Sequence, residues 1–72
     1  MKPLTHLQWE LLDRICRTNG GGLSLPPGDE LKRAQSLYRR GLAQGKSGQQ
    51  YRAVHTPDGL KLWREMLAKT HA

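Results

Sequence analysis

Apolar residues recur at helical spacing in three stretches of this chain, and the short segments between them alternate more like strands. In the first stretch Leu7, Trp9, Leu11, Leu12, Ile15 and Cys16 spread over a wide arc, while Glu10, Asp13, Arg14 and Arg17 take the remainder. This predicts a helix from about 6 to 18 with one side turned inward. Thr5-His6-Leu7-Gln8 fits a capping box at its start, and Asn19-Gly20-Gly21-Gly22 ends it, because Asn and Gly accept positive φ. In the second stretch, 29–42, Leu31, Ala34, Leu37 and Tyr38 gather on one arc, with Lys32, Arg33, Ser36, Arg39 and Arg40 opposite them. Gly41 is placed to stop this helix, and Leu42 to tuck back beneath its last turn.

The third helix opens at Thr56-Pro57-Asp58, with Thr as cap, Pro in the first turn and a carboxylate near the positive dipole end. Its apolar stripe is Leu60, Leu62, Trp63, Met66 and Leu67, ending near position 70. Trp63, Leu60 and Leu67 are expected to close the core, with Leu62 and Met66 at the margin. Before the second helix, Leu23-Ser24-Leu25 has room for a very short strand, and Pro26-Pro27-Gly28 blocks helix formation. After it, 42–44 and 50–54 read as two strands joined by a turn at Gly45-Lys46-Ser47-Gly48. Alternation in the second of these is poor: Tyr51 and Ala53 share one face and Val54 lies on the other, so the pattern does not assign the buried side. The fold class is therefore α+β in the order α-β-α-β-β-α, with a two- or three-stranded antiparallel sheet.

Seventy-two residues make one domain, 1–72, whose ends at 1–4 and 70–72 are expected to be flexible. Phe is absent, which leaves Trp9, Trp63, Tyr38, Tyr51 and the leucines to fill the core. The net charge of +6 favours a polyanionic partner. Most of it lies in the middle third, where Lys32, Arg33, Arg39, Arg40, Lys46 and Arg52 face only Asp29 and Glu30. No apolar run approaches membrane-spanning length, so no membrane partner is expected. The single Cys16 rules out an internal disulfide; it suits a reducing cytoplasm and reads as a small core residue on the first helix.

The residues that would carry catalysis are not brought together by the sequence. There is no paired-carboxylate arrangement, no nucleophile beside a base and no cluster at metal-ligand spacing. His6, His55 and His71 are scattered, and Glu10 and Asp13 read as solvated charges on the first helix. The triple glycine lacks the Lys-Ser/Thr pair and the preceding buried strand of a phosphate-binding loop. The expectation is a non-enzymatic protein with no cofactor and no metal.

Three segments together resemble the winged helix-turn-helix DNA-binding domains of bacteria and phages, the MarR-type regulators most of all. They are Leu4-Thr5-His6-Leu7-Gln8-Trp9-Glu10-Leu11-Leu12, Leu37-Tyr38-Arg39-Arg40-Gly41-Leu42-Ala43, and the run from Tyr51 to Thr56-Pro57-Asp58-Gly59. The resemblance implies a transcription regulator that binds double-stranded DNA, its basic helix in the major groove and its hairpin wing on the flanking backbone. Carried over, Lys32, Arg33, Gln35, Ser36, Arg39 and Arg40 become groove candidates, and Lys46, Ser47, Gln49 and Arg52 wing candidates. Their chemistry suits nucleic-acid recognition, since Arg forks two hydrogen bonds onto guanine, Gln pairs with adenine, and Lys and Ser meet phosphate oxygens. The chain departs from the family between 19 and 29, where Gly-rich and Pro-Pro-Gly sequence stands in place of the positioning helix. That shortening leaves open an alternative, a protein-interaction adaptor without direct DNA binding. A homodimer through the last helix, at Leu62 and Met66, is compatible with either. RNA binding would call on Tyr51 as a stacking aromatic.

Overall fold

The computed structural model describes residues 3–71; Met1, Lys2 and Ala72, where the chain ends were expected to be flexible, lie outside the described residues. Its elements are α1 (His6–Arg17), β1 (Leu23–Ser24), α2 (Asp29–Arg39), β2 (Ala43–Lys46), β3 (Gln49–His55) and α3 (Pro57–His71). The strands form one antiparallel sheet in the order β1-β3-β2, so the expected α+β succession is the observed one. No helix forms in the segment between β1 and α2.

Local chemistry sets the helix ends. Thr5 Oγ1 accepts from the Gln8 N–H at 3.2 Å and Gln8 Oε1 accepts from the Thr5 N–H at 3.0 Å, which completes the capping box of α1. Asn19 at φ 53° and Gly20 at φ 88° then turn the chain away. α2 begins at Gly28 without a side-chain cap, and the carboxylates of Asp29 and Glu30 complement its dipole instead. At its other end Gly41 adopts φ 73°; the Gly41 N–H bonds to the Tyr38 carbonyl and the Leu42 N–H to the Leu37 carbonyl, both at 3.1 Å. This is a Schellman closure, with Leu42 buried beneath it. Thr56 caps α3: its Oγ1 accepts from the Gly59 N–H at 3.0 Å and donates to the Gly41 carbonyl at 2.6 Å.

The hairpin differs from the expected one. Its turn is only Ser47 (φ 53°) and Gly48 (φ 80°), two consecutive left-handed residues as a tight type I′ connection requires, so β2 runs on to Lys46. Gly45 is therefore a strand residue, and a Cβ there would stand 2.7 Å from the Gln49 carbonyl oxygen. The register also slips. Gly45 faces Ala53 but Lys46 faces Gln49, which leaves Gln50, Tyr51 and Arg52 without a β2 partner. Those three turn elsewhere: Arg52 pairs with Ser24, the Tyr51 carbonyl accepts from the Leu25 N–H at 2.8 Å, and the Gln50 carbonyl accepts from the Tyr38 hydroxyl at 2.8 Å. The slip accounts for the weak alternation in sequence. Ala53 is buried, whereas Tyr51, expected among the core aromatics, is 52% exposed.

Leu11, Leu12, Ile15 and Cys16 of α1 pack with Leu25, Ala34, Leu37, Leu42, Ala43 and Ala53 as the buried core. Leu4, Trp9, Leu31 and Tyr38 cover it, and α3 meets it through Leu62 and Trp63. Leu62 thus packs inward rather than at the margin. Leu7, expected on the inward arc of α1, is instead 51% exposed. Asp13 is not a solvated charge either: half-buried, it accepts from Trp63 Nε1 at 2.7 Å and from Arg17 Nε at 3.0 Å, tying α1 to α3. Burial, reinforced by the Asp13 carboxylate, pushes the Cys16 thiol up from 9.0 to about 11.

Two outcomes follow from this packing. A thiol whose folded pKa exceeds its unfolded one contributes stability that is complete below pH 9 and lost as the pH rises through about 11. The stability advantage over Cys16→Ala, measured by urea unfolding, should therefore shrink by roughly 2 to 3 kcal/mol between pH 8 and pH 11. The second concerns Gly59, where a Cβ would overlap the Leu42 carbonyl. Gly59→Ala should cost about 3 kcal/mol or more, against about 1 kcal/mol for Gly48→Ala, which meets open space and only a left-handed φ.

Candidate nucleic-acid interface

The two fully buried residues of α2, Ala34 and Leu37, fix its orientation, and every other side chain takes its direction from them. Lys32 and Arg39 come out on the exposed side, two turns and about 10 Å apart along the axis. Gln35 and Ser36 lie between them and are half-buried. Each is engaged within the fold: Ser36 Oγ accepts from Gln8 Nε2 at 2.7 Å, and Gln35 Nε2 donates to Gln50 Oε1 at 3.3 Å. Arg33 and Arg40 fall on the flank facing the other helices. Arg33 borders a cleft with Leu7, Glu10, Leu11, Arg14 and Glu30, and Arg40 lines an apolar cavity between the end of α2, α1 and α3.

The residues of the β2–β3 hairpin form a second group. Lys46 Nζ donates to the Gly21 carbonyl at 3.1 Å. Arg52 stands opposite Ser24, and strand alternation puts it on the side of β3 away from buried Ala53. Both side chains run along Gly22, where a Cβ would lie 2.7 Å from Arg52 Cγ and 3.3 Å from Lys46 Cδ. Ser47 occupies the exposed tip, and exposed Gln49 faces Lys46. Of the ten positions singled out by sequence, Lys32, Gln35, Ser36 and Arg39 share the outer side of α2 and Lys46, Ser47, Gln49 and Arg52 form the hairpin group, while Arg33 and Arg40 stand apart on the flank facing the other helices. Gln50 joins the helix and hairpin groups, and no feature of the sequence pattern marks it; only the register slip brings it to α2.

Carboxylates are distributed unevenly over this surface. Ion pairs among the described residues include Arg17 with Asp13 at 3.0 Å and Arg14 with Glu30 at 2.8 Å, and His6 Nε2 lies 3.8 Å from Glu10 Oε2. The arginines of α1 are neutralised in this way, whereas Lys32, Arg39 and Arg52 take part in none of these pairs. Among the described residues no helix is long and apolar enough to cross a membrane.

No protein-family model, no curated protein and no solved structure matches this chain.

The Tyr38 hydroxyl is the stronger of the two links between α2 and the unpaired stretch of β3, since its bond is 2.8 Å and the amide pair beside it 3.3 Å. Tyr38→Phe should lower stability by about 1 kcal/mol. It should also speed amide exchange at Leu25, whose N–H bonds to the Tyr51 carbonyl beside Gln50, more than at Leu12 in the core. Equal acceleration at both amides would contradict a local link.

Proposed function

We propose that this chain binds duplex DNA as a small transcriptional regulator, with α2 in the major groove and the β2–β3 hairpin against the flanking backbone. The observation that carries the reading is the position of Lys32 and Arg39 on the exposed side of α2, outside the carboxylate pairs that neutralise Arg14 and Arg17. The element order, with a hairpin directly after the basic helix, supports reading it as a winged helix-turn-helix of the shortened MarR-like kind. In place of a positioning helix, α2 is held by Arg14 to Glu30 at its start, Gln8 to Ser36 in its middle and Tyr38 to Gln50 near its end.

The roles follow from placement. Arg39 has the planar fork that reads guanine O6 and N7, and Lys32 supplies a point charge for phosphate. Gln35 exchanges its long bond to Gln50 for an adenine edge. Arg33 and Ser36, nearer α1, border the backbone rather than the bases. Lys46 and Arg52, with Ser47 and Gln49 at the tip, meet phosphates beside the groove.

Three phosphate contacts, from Lys32, Lys46 and Arg52, give a slope of log affinity against log salt of about −2 to −3. Fluorescence anisotropy with a generic duplex over a salt series measures it. Lys32→Ala combined with Arg39→Ala should weaken binding and flatten the slope by about 1, with the circular dichroism unchanged. Absence of binding at low salt would overturn the reading in favour of the adaptor.

A further inference from the structure

Where the end of α2 meets α1 and α3, the helices leave a cavity of about 310 Å³. Pro3, Leu4, Trp9, Leu42, Leu62 and Met66 form its walls, and among the described residues Arg40 is the one charged side chain lining it. Leu42 is buried, Leu4, Trp9, Leu62, Met66 and Arg40 are half-buried, and Pro3 stands exposed at the rim. The space is a half-open cleft, and its size falls at the small end of ligand sites, which run from about 300 to 1,000 Å³.

The lining specifies the occupant. Hydrocarbon walls take an apolar body, and a guanidinium among them favours an anionic head over a neutral or cationic one. Arg presents five N–H donors in a planar fork that matches a carboxylate, and a bound carboxylate shares or exchanges the interaction Arg40 already makes within the fold. We propose that this cavity binds a small amphiphilic carboxylate, its hydrocarbon body against Trp9, Leu62 and Met66 and its carboxylate on Arg40. The site lies on the flank of α2 facing α1 and α3, apart from Lys32 and Arg39, and does not depend on the DNA-binding reading.

Straight-chain carboxylates from hexanoate to dodecanoate, kept below self-association, test it by calorimetry and amide chemical-shift mapping. Affinity should rise roughly fourfold per added methylene and then level off once the cavity is full. Shift changes should centre on Leu4, Trp9, Arg40, Leu62 and Met66. Arg40→Gln should weaken carboxylate binding about tenfold or more while leaving the matching primary alcohol within about twofold. Met66→Trp, which fills the space, should abolish binding with the circular dichroism intact, and it decides the matter if Arg40→Gln does not fold. The proposal is overturned by a lack of saturable binding, by affinity that climbs with chain length without levelling, or by equal binding of alkylammonium ions. Light scattering that shows a dimer covering Leu62 and Met66, which the carboxylate does not displace, also overturns it.

Discussion

Everything in this small fold turns on two adjacent backbone residues, Gly41 and Leu42. The left-handed Gly41 ends α2 and sends the chain into β2, and its carbonyl accepts from the Thr56 hydroxyl. The Leu42 carbonyl accepts from the Thr56 N–H at 3.3 Å, and Gly59 presses against the same group. The end of α2, the start of β2 and the start of α3 are therefore joined by one main-chain bond, by the Thr56 hydroxyl and by the close approach of Gly59 to the Leu42 carbonyl. The junction also separates two neighbouring arginines. Arg39 lies on the exposed side of the last turn, while Arg40, about 100° further round, turns to the cavity shared with α1 and α3.

The bonds that hold α2 differ in strength. Arg14 to Glu30 is an exposed ion pair, of a kind that contributes about 0 to 1 kcal/mol and weakens with salt. Gln8 to Ser36 is partly buried, and Tyr38 to Gln50 ends on a carbonyl that β2 does not engage; each contributes about 1 kcal/mol. Their combined value is modest beside the burial of Ala34 and Leu37. These bonds select among orientations that the apolar face would tolerate, because they pull from different sides of the helix. A positioning helix would do this by packing. Here α1 and a displaced strand do it with polar groups.

What is legible in the sequence is what neighbours within four residues determine. The Thr5 capping box, the Thr56 start and the Gly41 stop are local hydrogen-bond problems with few solutions, and each is found as expected. The periodicity that sets Lys32 and Arg39 opposite Leu37 is local as well. Position around a helix says nothing of what stands next to it, so periodicity groups Arg40 with Arg39 and does not reveal the Gln8 partner of Ser36. Asp13 is misread for the same reason, since its partner Trp63 is fifty residues away. In the hairpin, Gly45 carries the composition of a turn but serves a close strand approach, and Ser47 takes a left-handed φ that its residue type does not advertise.

The glycines before β1 acquire a use that no motif captures. Gly22 has no Cβ, and the stems of Arg52 and Lys46 occupy the space it leaves, with the Lys46 ammonium on the Gly21 carbonyl. Long cationic side chains lose much rotamer freedom when they engage a partner, and a surface that already aligns them reduces that loss. A Cβ at 22 would displace the Arg52 stem and crowd that of Lys46. The Gly-rich turn thus acts on charge indirectly, by fixing where two cations of the hairpin can stand.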